Sequence, residues 1–79
     1  RSLTKRARSS AEHICVRLKL SELAGASAED TRAAVRYDLR ELAEDPNLAA
    51  DVAEELAQLD PVRATQWNGL LRAYLDGRT

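Results

Sequence analysis

Apolar residues recur at helical spacing along most of this 79-residue chain. From residue 28 onward they follow steps of three and four residues, which places each set on one side of a helix. The three sets are Ala28, Thr31, Val35, Leu39 and Leu42; Leu48, Val52, Leu56 and Leu59; and Trp67, Leu70, Leu71, Tyr74 and Leu75. Each set predicts one amphipathic helix.

Capping residues mark where these three helices begin. Ser27 is a favourable N-cap residue at the start of the first set. Asp45-Pro46 and Asp60-Pro61 each combine a capping carboxylate with a proline, which suits the first helical turn. The residue before a proline also avoids helical geometry, so each Asp-Pro pair separates two helices. The connections between helices are therefore predicted to be short.

A further helix is predicted before Gly25. Ser9 and Glu12 have the spacing of a capping box, and Gly25 is suited to end the helix that follows. Gly77 has the same predicted role at the end of the last helix. Residues 14–20 alternate apolar and polar positions, which is also typical of a strand paired with another chain. We expect a helix there, with the strand as the alternative.

The composition favours an all-α fold. The chain has fourteen Ala and twelve Leu residues but no Phe, one Ile and four Val, so the residue types that strands prefer are scarce. We predict a compact four-helix bundle or orthogonal helical array formed by residues 9–79 as a single domain. Residues 1–8 are predicted to be a flexible basic arm.

Charge is segregated along the chain although the net charge is only −1. Residues 1–20 carry a charge of +5, residues 21–60 carry −8 and residues 61–79 carry +2. Two basic groups are candidate nucleic-acid contacts because they could bind phosphates. They are Lys5, Arg6 and Arg8 in the arm, and Arg32, Arg36 and Arg40 at steps of four along the second helix. In the alternative interpretation the second group is a solvated face that pairs with Glu29, Glu41 and Glu44.

Residues 20–44 carry a resemblance to a known family. Leu20 to Ser27, followed by Thr31-Arg32 and the segment from Val35 to Leu42, resembles the helix-turn-helix of bacterial transcription regulators. In that family a short helix, a glycine-containing turn and a Ser or Thr cap precede the recognition helix. The resemblance implies a DNA-binding domain in which Arg32 and Arg36 occupy the positions of base or phosphate contacts.

Catalytic and metal-binding chemistry is sparse in the sequence. His13 and Cys15 are the single His and the single Cys, and their spacing puts them on different helix faces, whereas zinc needs about four ligands. We find no nucleophile-elbow motif and no glycine-rich phosphate loop. We therefore expect no enzyme activity, no cofactor, no metal and no small-molecule substrate.

The cellular setting is only weakly indicated. A single Cys cannot form an internal disulfide and fits a reducing compartment, so we expect a cytoplasmic protein. No apolar run approaches the ~20 residues that cross a bilayer, so we expect no membrane partner.

The first functional hypothesis is a small non-catalytic interaction module, part of a larger protein, whose partner is another protein or a second copy of itself. The candidate interface combines aromatic anchors around a glycine that allows close helix approach with an acidic face for a basic partner. These residues are Trp67, Gly69, Tyr74, Asp51, Glu54 and Glu55. The two aromatic residues also suit a core otherwise made of Ala and Leu. The alternative hypothesis is DNA binding through the second helix and the basic arm.

Overall fold

The computed structural model describes the backbone of residues 2–78 and the side chains of residues 5–77. Within that range the chain forms five helices and no strand. They are α1 (Ser2–Leu23), α2 (Ala28–Ala34), α3 (Arg36–Ala43), α4 (Pro46–Leu59) and α5 (Pro61–Arg78). The all-α prediction is confirmed. Residues 14–20 are helical, so the strand alternative for that segment is wrong.

The helices enclose one small apolar core. Helix α1 packs most extensively against α4, while α5 contacts both α3 and α4. Trp67 is the largest of the fully buried side chains and fills a core otherwise made of Ala, Val, Leu and one Ile. The core residues are Ala7, Ala11, Ile14, Leu18, Val35, Leu39, Leu42, Leu48, Val52, Leu56, Ala64 and Trp67.

The end of α1 is set by Gly25. This residue has a φ of 67°, a left-handed conformation that residues with a Cβ rarely adopt. The N–H of Ala26 donates to the carbonyl of Ser21 at 2.9 Å, and the N–H of Gly25 donates to the carbonyl of Glu22 at 3.0 Å. These two hydrogen bonds form a Schellman motif. The predicted helix end at Gly25 is confirmed.

The predicted caps of the later helices are also confirmed. Side-chain oxygens of Ser27, Asp45 and Asp60 each accept a hydrogen bond from the backbone N–H three residues on, at 3.1 to 3.2 Å. Pro46 and Pro61 are the first residues of α4 and α5. A proline there loses no helical hydrogen bond, because the first N–H groups of a helix have no partner within it.

The second predicted helix is divided in two. Val35 has φ −113° and ψ 18°, outside helical geometry, and separates α2 from α3. Its N–H donates to the carbonyl of Arg32 at 3.2 Å, a tightened last turn. Thr31, Val35 and Leu39 are all buried, so the apolar spacing continues across the break. The prediction of four helices is wrong because this pattern contains no sign of an interruption.

The prediction of a separate basic arm is wrong as well. Residues 2–8 belong to α1, so the helix does not begin at the predicted capping box around Ser9. Ala7 is fully buried and precedes Ala11 and Ile14 at steps of four and three. The core-facing side of α1 thus extends into the segment that was assigned to the arm. Gly77 does not end α5 either, since that helix continues to Arg78.

Candidate functional site

Two of the basic residues near the start of the chain form ion pairs within the bundle. Arg6 pairs with Glu41 on α3 at 3.1 Å, and Arg8 pairs with Glu55 on α4 at 3.1 Å. Ion pairs as exposed as these contribute roughly 0.2 to 1 kcal/mol each. Lys5 is exposed on the same helix. Two of the three predicted nucleic-acid contacts in this segment therefore already contact carboxylates of the acidic part of the chain.

The other predicted basic group is brought together by the fold. Arg32, Arg36 and Arg40 line one cleft of about 220 Å³, together with Glu29, Ala33, Leu39 and Tyr74. None of the three arginines takes part in an ion pair or a side-chain hydrogen bond among the described residues. The alternative in which Glu41 pairs with these arginines is wrong, because its carboxylate contacts Arg6.

The aromatic half of the predicted partner interface is not a surface. Trp67 has no exposed area, and its indole N–H has no hydrogen-bond partner among the described residues. Tyr74 is half-buried and packs against the core. Gly69 is exposed, and a Cβ built on it would meet no atom within 4 Å, so none of the described helices of the chain approaches it closely. A close approach between two chains at Gly69 stays a prediction. The core interpretation of Trp67 is confirmed.

The acidic half of that interface lies on α4. Glu54 is exposed, whereas Asp51 and Glu55 are half-buried. The Glu55 carboxylate already contacts Arg8. The six residues predicted as an interface are therefore dispersed: Trp67 is in the core, Tyr74 lines a cleft, Gly69 is exposed on α5, and the three acids lie on α4.

The sequence analysis missed an apolar surface on α1. Val16, Leu20 and Leu23 are 55%, 59% and 84% exposed, and we call these three residues the outer stripe. They lie on the opposite side of α1 from Ile14 and Leu18, which are fully buried. Residues two positions apart in a helix point in nearly opposite directions, so an alternating apolar pattern gives a helix two apolar faces. That alternation was visible in the sequence, where it was taken only as a possible strand signal.

Neighbouring apolar residues enlarge this surface. Val62, at the start of α5, is 65% exposed and lines the same surface cleft as Leu23. Leu59, the last residue of α4, is 46% exposed and directly precedes Asp60, which contacts Lys19 of α1. An exposed apolar surface beside polar flanks is typical of an interaction site.

One flank of the outer stripe is held by Arg17. Its Nε donates to His13 Nε2 at 2.6 Å, and its Nη1 donates to the carbonyl of Ala34 at 3.1 Å, at the end of α2. Asp38 on α3 is buried nearby. Burial raises the pKa of Asp38, and the nearby His13 and Arg17 act in the opposite direction. These contacts fix α1 to the break between α2 and α3.

The other flank is held by Asp60. Lys19 Nζ lies 3.6 Å from Asp60 Oδ2, and the thiol of Cys15 lies 3.9 Å from the same oxygen. The pKa of Asp60 is lowered, mainly by the hydrogen bond from the Arg63 backbone N–H and further by Lys19, against an opposing effect of desolvation. Both flanks are thus engaged within the chain, while the outer stripe between them makes no comparable contact.

The described residues offer neither a metal-binding cluster nor a membrane-spanning helix. Among the described residues no group of three His, Cys, Asp or Glu side chains is arranged to hold a metal ion. No helix there combines the length and apolar character needed to cross a bilayer. Comparison of the chain with protein-family models, with curated proteins and with solved structures finds no match.

Proposed function

We propose that this chain is a small non-catalytic self-association module in which the outer stripe of α1 packs against the outer stripe of a second copy. The observation that carries the proposal is the exposure of Val16, Leu20 and Leu23 on the side of α1 that faces away from the core. Burying one such side chain contributes roughly 1.5 to 3 kcal/mol. Two matching stripes can supply that burial to each other.

The spacing of the outer stripe supports a helix as the partner. Val16, Leu20 and Leu23 are separated by four and then three residues, the spacing of the a and d positions in a coiled coil. His13, also exposed, continues the row three residues earlier. Helices with this spacing pack side chains of one into gaps of the other. A second α1 presents the required surface without any further component.

The charges beside the stripe favour a parallel pair of helices. In a parallel pair in register, Glu12 of one copy lies next to Arg17 of the other, because they occupy the positions that form ion pairs across such a seam. An antiparallel pair could also align the row formed by His13 and the outer stripe. It would place Arg17 against Arg17 and Lys19 against Lys19. Opposite charges across the seam steer association, and like charges oppose it.

Analytical ultracentrifugation of the whole chain tests this function. We expect the chain to shift from monomer to dimer as its concentration rises to about 1 mM, where even a weak dimer is populated. Leu20→Lys should stay monomeric because it puts a charge into the seam. Leu75→Lys is the matched control, since Leu75 is an exposed leucine on α5 at 41%. A wild-type chain that stays monomeric at that concentration, or equal behaviour of the two variants, would contradict the proposal.

DNA binding has weaker support and stays a prediction. In its favour, Arg32, Arg36 and Arg40 share a cleft and have no carboxylate partner. Against it, the segment expected to be the recognition helix ends at Ala34 after seven residues. Arg6 and Arg8 are also held in ion pairs. Titration with duplex DNA at two salt concentrations separates this hypothesis from self-association, because phosphate contacts weaken steeply as salt increases.

A further inference from the structure

We propose that the cleft formed by α2, α3 and α5 is a binding site for a phosphate monoester group. The inference goes beyond self-association, because the cleft is lined by none of the outer-stripe residues. Arg32 enters it from α2, Arg36 and Arg40 from α3, and Tyr74 from α5. We call it the arginine cleft.

The three arginines that line the arginine cleft are exposed, and none of them forms an ion pair among the described residues. The described ion pairs use Arg6, Arg8, Lys19 and Arg63, each with a carboxylate outside this cleft. The one acidic residue that lines the cleft, Glu29, forms no ion pair with any of the three arginines. Like charges four residues apart repel each other, so the free protein keeps this arrangement at a cost in stability. A bound anion would relieve that repulsion.

The chemistry of arginine selects the class of anion. A guanidinium group presents planar pairs of N–H donors that match the oxygens of a phosphate or carboxylate. Three arginines at one cleft offer more donors than a single carboxylate can accept, whereas a phosphate monoester has three terminal oxygens and a charge close to −2. Tyr74, which packs partly against the core, also lines this cleft.

The surroundings favour one compact group over an extended polyanion. A nucleic-acid backbone needs a continuous basic track. Here Glu29 lines the cleft itself, and Asp30 follows it at the exposed start of α2. Arg6 on α1 does not extend the basic surface, because it contacts Glu41. The positive charge is therefore confined to the cleft, whose volume of about 220 Å³ suits a phosphate with a small organic group attached.

A titration with phenyl phosphate, followed by ¹H–¹⁵N NMR of the whole chain, tests the site. We expect saturable shifts of the α2, α3 and Tyr74 signals. Arg36→Gln should weaken binding by at least about tenfold, because it removes one guanidinium group and its paired N–H donors. Arg36→Lys keeps the charge but loses the planar donors, so its affinity for phenyl phosphate should lie between that of the wild type and that of Arg36→Gln. Arg72→Gln is the matched control, since Arg72 is an exposed arginine on α5 outside the cleft.

Thermal unfolding distinguishes a loss of binding from a loss of folding in these variants. Without phosphate, Arg36→Gln should unfold at the same temperature as the wild type or at a higher one, because it removes like-charge repulsion. Phenyl phosphate should raise the unfolding temperature of the wild type and of Arg72→Gln but not that of Arg36→Gln. Leu20→Lys should bind phenyl phosphate like the wild type, so the failure of self-association and the failure of this site are distinguishable.

Further probes separate the possible sources of the phosphate. Binding of a phosphotyrosine peptide at least about tenfold tighter than phenyl phosphate, with no binding of the unphosphorylated peptide, would identify a modified protein as the source. Equal affinities would identify a free phosphorylated small molecule. The proposal is overturned if phenyl phosphate causes no saturable shifts, if Arg72→Gln weakens binding as much as Arg36→Gln, or if duplex DNA binds through the same arginines more tightly than every monoester probe.

Discussion

The two faces of α1 carry the same kinds of side chain but differ completely in burial. Ile14 and Leu18 face the core and have no exposed area, whereas Val16 and Leu20 are 55% and 59% exposed. Each pair is only two residues from the other along the helix. The inner face accounts for the packing of α1 against the bundle, and the outer face has no such role within the chain. In the proposed function, the inner face packs against the bundle and the outer face packs against a second copy of the chain.

The largest expected difference between the faces concerns stability. Leu18→Ala should lower the free energy of unfolding by about 2 to 5 kcal/mol, because it leaves a cavity in the core. A domain of this size has a total stability of roughly 4 to 12 kcal/mol, so the variant should lose a large share of it. Leu20→Ala makes the same change on the outer face. Urea denaturation of Leu18→Ala and Leu20→Ala at low protein concentration compares their free energies of unfolding. Equal losses for the two variants would mean that the outer face is also packed within the monomer.

The next largest expected effect is a change in stability at Gly25, which ends α1 and therefore both of its faces. Gly25→Ala should cost about 1 to 2 kcal/mol, because alanine is strained at a φ of 67°. Gly69 provides the contrast, since a Cβ there meets open space within a helix. Gly69→Ala should instead raise stability by about 0.5 to 1 kcal/mol. Thermal unfolding of both variants checks the opposite signs, and a loss at Gly69 would reveal a close contact at that position.

The flanks of α1 should respond to pH in opposite ways. The lowered pKa of Asp60 means that its carboxylate stabilises the fold above about pH 4 and that this stability is lost as the pH falls through the lowered pKa. The raised pKa of Asp38 means that its carboxylate destabilises the fold at neutral pH, and protonation on acidification removes that cost.

Unfolding temperatures between pH 7 and about pH 2 measure both effects. Asp38→Asn should be more stable than the wild type at pH 7, and the difference should shrink as the pH falls. Asp60→Asn should be less stable at pH 7, with its deficit also shrinking in acid. The same sign of change for both variants at pH 7 would contradict the assigned directions.

The smallest expected change in stability is that of Leu20→Lys. At concentrations where the chain is monomeric, this variant should unfold within about 0.5 kcal/mol of the wild type, as exposed positions usually do. Its lysine lies near the C-terminal end of α1, where positive charge is favourable. Chemical denaturation of dilute protein measures the difference. A loss comparable to that of Leu18→Ala would show that Leu20 supports the bundle itself.

Local signals allowed much of the fold to be predicted. The caps at Ser27, Asp45 and Asp60 and the helix end at Gly25 depend on neighbouring residues only, so they can be recognised without knowing the tertiary structure. The break at Val35 could not be found that way, because the buried spacing runs through it. The helical start of the chain was also hidden, since the burial of Ala7 depends on helices distant in sequence.

The candidate sites show the same limit. Spacing alone grouped Arg32, Arg36 and Arg40, and the structure brings them to one cleft. Their lack of partners could not be predicted, because one of the three acids expected to neutralise them, Glu41, pairs with Arg6, which is distant in sequence. The outer stripe could not be predicted, because apolar residues at every second position fit either a strand or a helix with two apolar faces.

Disulfide cross-linking at position 20 tests self-association through α1 most directly. The variant Leu20→Cys, made together with Cys15→Ser so that one thiol remains, should form a covalent dimer under mild oxidation, because a parallel pair brings position 20 of both copies together. Leu75→Cys in the same Cys15→Ser background is the control and should cross-link far less. Equal, weak cross-linking of the two variants at a concentration of about 1 mM would contradict the proposed pairing of the outer stripes.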